Sequence, residues 1–216
     1  YLPELEQVAD GVQLVNGARD LNKNGTIEPY EDWTQPIETR VDDLLARMTL
    51  EEKAMQMFFD GQTYPLAGFH FGPLTPADEE AMQLSNAGTR LGIPAITTGD
   101  TIHGYKTTFP TQSALGAMKN YELIRRLGDM QRREQIAVGA RGTLSPLAEV
   151  GTKVLYPRIQ EGCGEDAEVA AAMVRAILVG LQAGPELNPD SLWVTTKHWP
   201  GQGAGGEQQM VYDGTT

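Results

Sequence analysis

The sequence predicts an α/β fold, a (β/α)8 barrel of TIM type that is incomplete in this chain and preceded by an irregular N-terminal extension. Three observations carry that prediction. Short β-branched or apolar runs alternate with helical patterns of a dozen or more residues, the mark of βαβ units and a parallel sheet. No glycine-rich turn follows the first candidate strand, which disfavours a dinucleotide-binding sheet. Polar residues follow the C-terminal ends of several strands, at Asp100, Ser145 and Lys197-His198, the face on which barrel active sites lie. The 216 residues fall short of the ~250 of a full barrel, and only about four or five βα units can be traced.

Residues 1–36, rich in Asn, Gly, Pro and acids, are expected to form the extension, and residues 37–216 the partial barrel domain. Val41, Leu44, Leu45 and Met48 recur at helical spacing and predict a first helix. Thr49 with Glu52 three residues on is a capping box that opens a second. Met55–Phe59 either ends that helix or forms the first strand. Thr75-Pro76 starts the next helix, where Asp78, Glu79 and Glu80 favour the positive end of the dipole. Ile93–Thr98 reads as a strand running into Gly99-Asp100, Tyr121–Val138 as a helix and Thr143–Leu147 as a strand. Asp166–Gln182 is an Ala-rich helix with Val169, Met173, Ala176, Ile177 and Gly180 on one face, and a strand at Trp193–Thr196 closes the series.

Composition narrows the function. A net charge of −12 argues against nucleic acid, which needs a basic face to displace counterions. It argues equally against an anionic membrane surface or a polyanionic substrate, so a neutral ligand suits the chain better. No apolar run reaches the ~20 residues of a membrane span. Cys163 is the single cysteine; it excludes an intrachain disulfide, lacks a zinc-type cluster around it, and reads as a small buried hydrophobe. The chain opens on Tyr1 rather than Met, so a signal peptide would not be visible in it.

Lys197-His198 places an ammonium and an imidazole at a strand terminus, followed at once by Pro200-Gly201-Gln202-Gly203. A strand that stops in two polar donors and a glycine-rich loop is arranged to present them to a ligand. Taken alone, the pair reads equally well as a surface Lys beside a half-buried His bonded to a backbone carbonyl. Three further segments precede it in an order suited to one pocket: Leu91-Gly92-Ile93-Pro94 leading to Asp100-Thr101-Ile102-His103-Gly104 and Phe109-Pro110; Leu144-Ser145-Pro146-Leu147-Ala148; and Pro157-Arg158-Ile159-Gln160-Glu161 with Gly164-Glu165-Asp166.

With Lys197-His198-Trp199-Pro200-Gly201, this series closely resembles the N-terminal barrel domain of glycoside hydrolase family 3, the β-glucosidase and exoglucanase family. Pro36–Val41 and Met48–Lys53 are similar to that family's opening helix. The resemblance implies that Asp100 accepts hydrogen bonds from a sugar's non-reacting hydroxyls and that Arg158, Lys197 and His198 donate to them. Such a site, with one ionised acceptor and several charged donors, forms charge-assisted bonds with the hydroxyls and rejects analogues lacking one. The alternative for Arg158 is an ion pair with Glu161. The implied partners are a β-linked oligosaccharide or glucoside and the remainder of the enzyme, in a periplasmic or secreted location. No catalytic residue is assigned: the family's nucleophile follows a later strand, Asp213 is not in its context, and a retaining glycosidase needs two carboxylates flanking the bond. Both are expected beyond residue 216. β-Xylosidase activity is an alternative within the family. So is β-N-acetylhexosaminidase, although Gly203–Glu207 stands where that branch carries an Asp-Ser-His triplet.

Two other motifs stand out in the sequence. Asp20–Glu31 fits the twelve-residue calcium loop of an EF-hand, with Asp20, Asn22, Asn24, the Thr26 carbonyl and Glu31 as ligands and Gly25 at the sharp turn. One copy suits a structural calcium clip rather than a sensor, and no cofactor is expected for catalysis. A dockerin-like interaction module is the competing class, though it would need two such loops. Gly201–Gly206 satisfies G-x-G-x-x-G, but four residues including Pro200 intervene after the strand and the sequence ends too soon for the acid ~20 residues on, so a nucleotide site is not favoured.

Overall fold

The computed structural model describes residues 13–60, 68–71, 75–152 and 158–198. The chain divides into two compact units, Tyr1–Thr97 and Thr98–Thr216.

In the first unit, Gln13–Val15 (β1) and Ala18–Asp20 (β2) pair antiparallel, with Gln13 opposite Asp20. The turn is Asn16-Gly17, with φ of +51° and +81°. An Asn-Gly turn with both φ positive matches the twist of a two-residue hairpin. Part of the stretch expected to be irregular is therefore a hairpin, and Asn16-Gly17 is its local signal. Tyr30, also in that stretch, is buried and donates its hydroxyl to Leu91 O at 3.2 Å.

Helix α1 spans Ile37–Arg47 and α2 spans Leu50–Gln56. The expected capping box starts α2: Glu52 N donates to Thr49 Oγ1 at 3.2 Å, and Thr49 N to Glu52 Oε2 at 2.8 Å. Met55–Phe59 is divided between the two alternatives, because α2 ends at Gln56 and Phe59–Asp60 forms β3. β3 runs parallel to β4, Phe69–Phe71. Helix α3, Pro76–Ala87, starts on Thr75 with Pro76 in its first turn and Asp78 closing a second capping box. At the start of β5, Ile96–Gly99, Ile96 N donates to Gly68 O at 2.9 Å. The helix predicted from Val41, Leu44, Leu45 and Met48 forms as α1, with Val41 and Leu45 exposed and Met48, just past its last turn, buried.

In the second unit, Thr98 of β5 pairs parallel with Gly142 of β6, Gly142–Thr143. Gly142 in turn pairs parallel with Trp193 of β7, Trp193–Val194. Both strands are shorter than their sequence patterns. Pro146 has no N–H to give to a ladder. Even so, the two segments keep company beyond the strands: Thr195 N donates to Thr143 O at 2.9 Å, Lys197 N to Pro146 O at 3.0 Å and Ala148 N to Lys197 O at 2.6 Å.

Three helices lie between these strands in sequence: α4 (Gln112–Met118), α5 (Tyr121–Ala137) and α6 (Ala167–Leu181). Thr111, Asn120 and Asp166 cap their first turns with side-chain oxygens, filling donors that have no intrahelical partner. The expected apolar face of α6 is the core. Val169, Met173, Ala176 and Ile177 are buried with Leu115, Ile124, Leu181 and Leu192. α5 and α6 meet backbone to backbone at two glycines. A Cβ on Gly180 would stand 2.2 Å from Arg125 O, and one on Gly128 would stand 2.9 Å from Ile177 O. Parallel strands linked through helices give this α/β chain the βα order of a TIM-type barrel. No described helix is long and apolar enough to cross a membrane.

Candidate functional site

The polar strand ends predicted from sequence meet in the second unit. Asp100 follows β5 directly, and the loop behind it is firmly built. Thr101 Oγ1 lies 2.5 Å from Thr143 Oγ1 and accepts from Gln131 Nε2 at 2.5 Å, all three residues being buried. Gly104 has φ +93°, and a Cβ there would meet Thr107 O at 2.0 Å, so only glycine fits the bend. Glu134 of α5 accepts from Lys106 N at 2.9 Å and Thr107 N at 3.0 Å. The base of Asp100 is thus tied to β6 and to α5.

Lys197 reaches Asp100 from the end of β7. Its Nζ donates to Asp100 Oδ2 at 2.7 Å, with side-chain exposures of 14% for Lys197 and 38% for Asp100. Neighbouring His198 turns to a different acid: Nδ1 lies 2.5 Å from Glu149 Oε1, with exposures of 25% and 6%. Each of the two adjacent polar residues at the end of β7 therefore has its own carboxylate. Sequence reasoning missed Glu149. Its only signal was an acid one residue beyond Leu144–Ala148, the segment that already stood out.

Arg158 enters from a 3-10 turn, Ile159–Glu161. It forms the ion pair with Glu161 that was the alternative to its sugar-binding role, Oε2 accepting from Nε at 2.9 Å and Nη2 at 2.5 Å. The end of that turn is sewn to the Glu149 segment, since Cys163 N donates to Glu149 O at 3.3 Å and Gly151 N donates to Gly164 O at 2.8 Å. Of the four residues predicted for the site, Asp100 and Lys197 are joined directly. His198 contacts Glu149 instead, and Arg158 contacts Glu161. Cys163 lies beneath, fully buried, and burial together with the charge of Glu149 pushes its thiol up to about 12. That fits a packing role and no reactive one. Residues 199–216, including Gly201–Gly206 and Asp213, lie outside the described residues.

The arrangement offers a cluster of charged donors and acceptors at strand ends, the chemistry that hydroxyl-rich ligands require. Comparison with known proteins then settles its kinship. A model of the glycosyl hydrolase family 3 N-terminal domain matches residues 75–214. The chain belongs to this family. It is 32% identical to a periplasmic β-glucosidase/β-xylosidase of Dickeya chrysanthemi across 92% of its own length, and to a probable β-glucosidase C of Aspergillus oryzae across 94%. It spans 38% and 40% of the length of those two relatives. Among solved structures, the β-glucosidase of Erythrobacter marinus superposes with a TM-score of 0.73 at 26% identity, over 82% of this chain and 28% of that one. The β-glucosidase of Listeria innocua in complex with isofagomine gives 0.69 at 28% identity, over 76% and 26%. For this family 3 chain, the comparisons agree with the barrel order of its strands and helices.

The loop Asp20–Glu31 lies in the first unit. Asp20 is fully buried and accepts from Asn24 N at 3.2 Å and Gly25 N at 2.7 Å, while Gly25 takes φ +84°. Glu31 Oε1 accepts from Leu21 N and Asn22 N, and Glu28 accepts from the amides of Asn22 and Asn24. Burial acts to raise the Glu28 carboxyl, but hydrogen bonds from Glu31, Asn24 and Asn22 and the charge of Arg47 outweigh it and hold the group at about 2. Burial and the hydrogen bond to Glu28 push Glu31 up. Among the described residues no three His, Cys, Asp or Glu groups stand in metal-holding positions; here the loop's acids satisfy one another and the backbone. The donors themselves, carboxylates and amide carbonyls in one loop, are the hard oxygens that calcium takes.

Proposed function

We propose that this chain forms the sugar-gripping part of a retaining β-glycosidase of the β-glucosidase type, acting on terminal non-reducing β-D-glycosyl residues. The observation that supports it best is the Lys197–Asp100 contact at 2.7 Å, a donor and an acceptor paired from the ends of β5 and β7, the two strands that flank β6. A hydroxyl-bearing ring arriving there can donate to Asp100 while accepting from Lys197, with Arg158 as a further donor and the His198 ring as a further polar partner. The names of the relatives, β-glucosidase and β-glucosidase/β-xylosidase, support a β-linked glucoside or oligosaccharide and keep β-xylosidase as the second reading. The family match over 75–214 leaves the dockerin-like alternative without support.

The two bond-cleaving carboxylates are assigned to the remainder of a longer enzyme. Asp100 and Glu149 are already committed to Lys197 and His198, and a retaining mechanism needs two acids flanking the glycosidic oxygen. Relatives of Dickeya chrysanthemi and Salmonella typhimurium that are named periplasmic support a periplasmic or secreted location. The loop Asp20–Glu31 is proposed as a structural calcium site, held by Asp20, Asn22, Asn24, Glu31 and the Thr26 carbonyl, remote in role from the chemistry.

Titration calorimetry of the 216-residue chain with glucose tests the reading. Wild type binds, and Asp100→Ala weakens binding by roughly tenfold or more, because it removes an acceptor and leaves the Lys197 ammonium unpaired. Binding indifferent to Asp100→Ala would refute the role of that residue. An activated aryl β-glucoside should not be hydrolysed by the chain alone. Turnover that disappears on replacing Asp213 or Glu207 would place the cleaving acids inside it.

A further inference from the structure

We propose that Glu149 is a positioning residue of the sugar site: its carboxylate holds the His198 ring through Nδ1, fixes the proton on that nitrogen, and leaves Nε2 as the atom that meets the sugar. This rests on the sugar-binding reading above and deepens it.

The geometry is specific. Nδ1 lies 2.5 Å from Glu149 Oε1, and a carboxylate only accepts hydrogen bonds, so the proposal puts the ring hydrogen on Nδ1. The other ring nitrogen is then free for a different partner, and among the described residues Nε2 has none. The imidazole's two nitrogens are chemically distinct, and the group bonded to one decides what the other can do. In the neutral ring Nε2 becomes an acceptor for a sugar hydroxyl, whereas Lys197 beside it is a donor only. The two residues at the end of β7 would therefore read opposite faces of the hydroxyl pattern, one giving hydrogen and one taking it.

Glu149 is built to hold that position. Its side chain is 6% exposed, and its carbonyl accepts from Cys163 N at 3.3 Å. A Cβ on Gly162 would stand 3.2 Å from that same oxygen, so the turn closes tightly on the Glu149 backbone. Lys197 N to Pro146 O and Ala148 N to Lys197 O fix the alignment of the two segments immediately before the acid and the imidazole. Glu149 Oε2 is buried without a partner among the described residues. An acid left half-satisfied in a buried place is a cost that a purely structural residue would not need to carry.

The test uses the 216-residue chain with [15N]histidine labelling. Long-range 1H–15N correlation at pH 8 resolves the ring nitrogens of three histidines, and His198→Asn assigns the one in question. Wild type should show Nδ1 protonated, and Glu149→Leu should move the proton to Nε2. Glucose affinity should fall about tenfold in Glu149→Leu. In the His198→Asn background the same change should cost less than about twofold, because the acid then has no ring to orient. Should Glu149→Leu not fold, Glu149→Met serves the same readings, since it keeps the length of the side chain and offers the ring nitrogen neither a carboxylate nor an amide oxygen. An unchanged proton position, or an equal loss of affinity in the His198→Asn background, overturns the proposal. Failure of wild type to bind glucose overturns the sugar reading itself and the proposal with it. Binding that survives Glu149→Leu unchanged overturns the proposal alone.

Discussion

Gly180→Ala isolates the backbone contact between α5 and α6. In an open helix the change would stabilise the protein by about 1 kcal/mol, because alanine is the better helix former. Here the new Cβ would stand 2.2 Å from Arg125 O and 2.9 Å from Asp129 N. Ordinary contact begins near 3.4 Å, so the helices must part by about an ångström, and the obstacles are backbone atoms that cannot rotate away. Separation would loosen Ile124, Met173, Ile177 and Leu181, which are buried in the same core. Overpacking of this kind costs typically ~1–3 kcal/mol. A displaced helix pair belongs at the upper end, and subtracting the propensity gain leaves about 2 kcal/mol of net destabilisation. For a chain of this size that is a fall in Tm of roughly 4–8 °C. Thermal and urea denaturation followed by circular dichroism measure it. A Tm that rises, as propensity alone requires, would refute the close approach of the two helices.

Other expectations are equally concrete. Hydrogen bonds from Arg90 hold the Glu52 carboxyl below its usual value, and Thr49 N adds to them. A depressed carboxyl contributes stability that is complete above its unfolded value near 4.5 and is lost as pH falls through the folded one. Glu52→Gln should therefore lower Tm at pH 7 and flatten its decline between pH 4.5 and 3; an unchanged acid slope would refute that. Cys163, with its thiol near 12, should resist a thiol reagent at pH 8 in the native state and react fully in urea. Excess calcium should raise Tm by binding the folded state, chelator should reverse it, and Glu31→Gln should erase the difference. A melting curve indifferent to calcium would leave Asp20–Glu31 as a turn stabilised by its own hydrogen bonds.

Helix starts were legible because a cap is a local device. Thr49 with Glu52 and Thr75 with Asp78 act across three residues, and both capping boxes form. The α5 and α6 ends fell within a residue of the pattern for the same reason. Strand lengths were less legible. Thr143–Leu147 has the right residue types, yet only Gly142–Thr143 is strand, because a ladder depends on a partner segment some fifty residues away. The hairpin at Asn16-Gly17 has a local turn signal inside a stretch whose composition favours irregular structure.

By itself the sequence determined the α/β order, the helix caps, the anionic character and the set of polar strand ends at Asp100 and Lys197-His198, all of which are written in short spans of residues. Only the tertiary structure decided which groups meet. Lys197 found Asp100 across 97 positions and His198 found Glu149 across 49. Gly128 and Gly180 became a contact rather than two weak helix positions. Such pairings are fixed by how strands align and helices pack. A carboxylate shows no sign in sequence of the ring it will hold until the backbone has brought the two together.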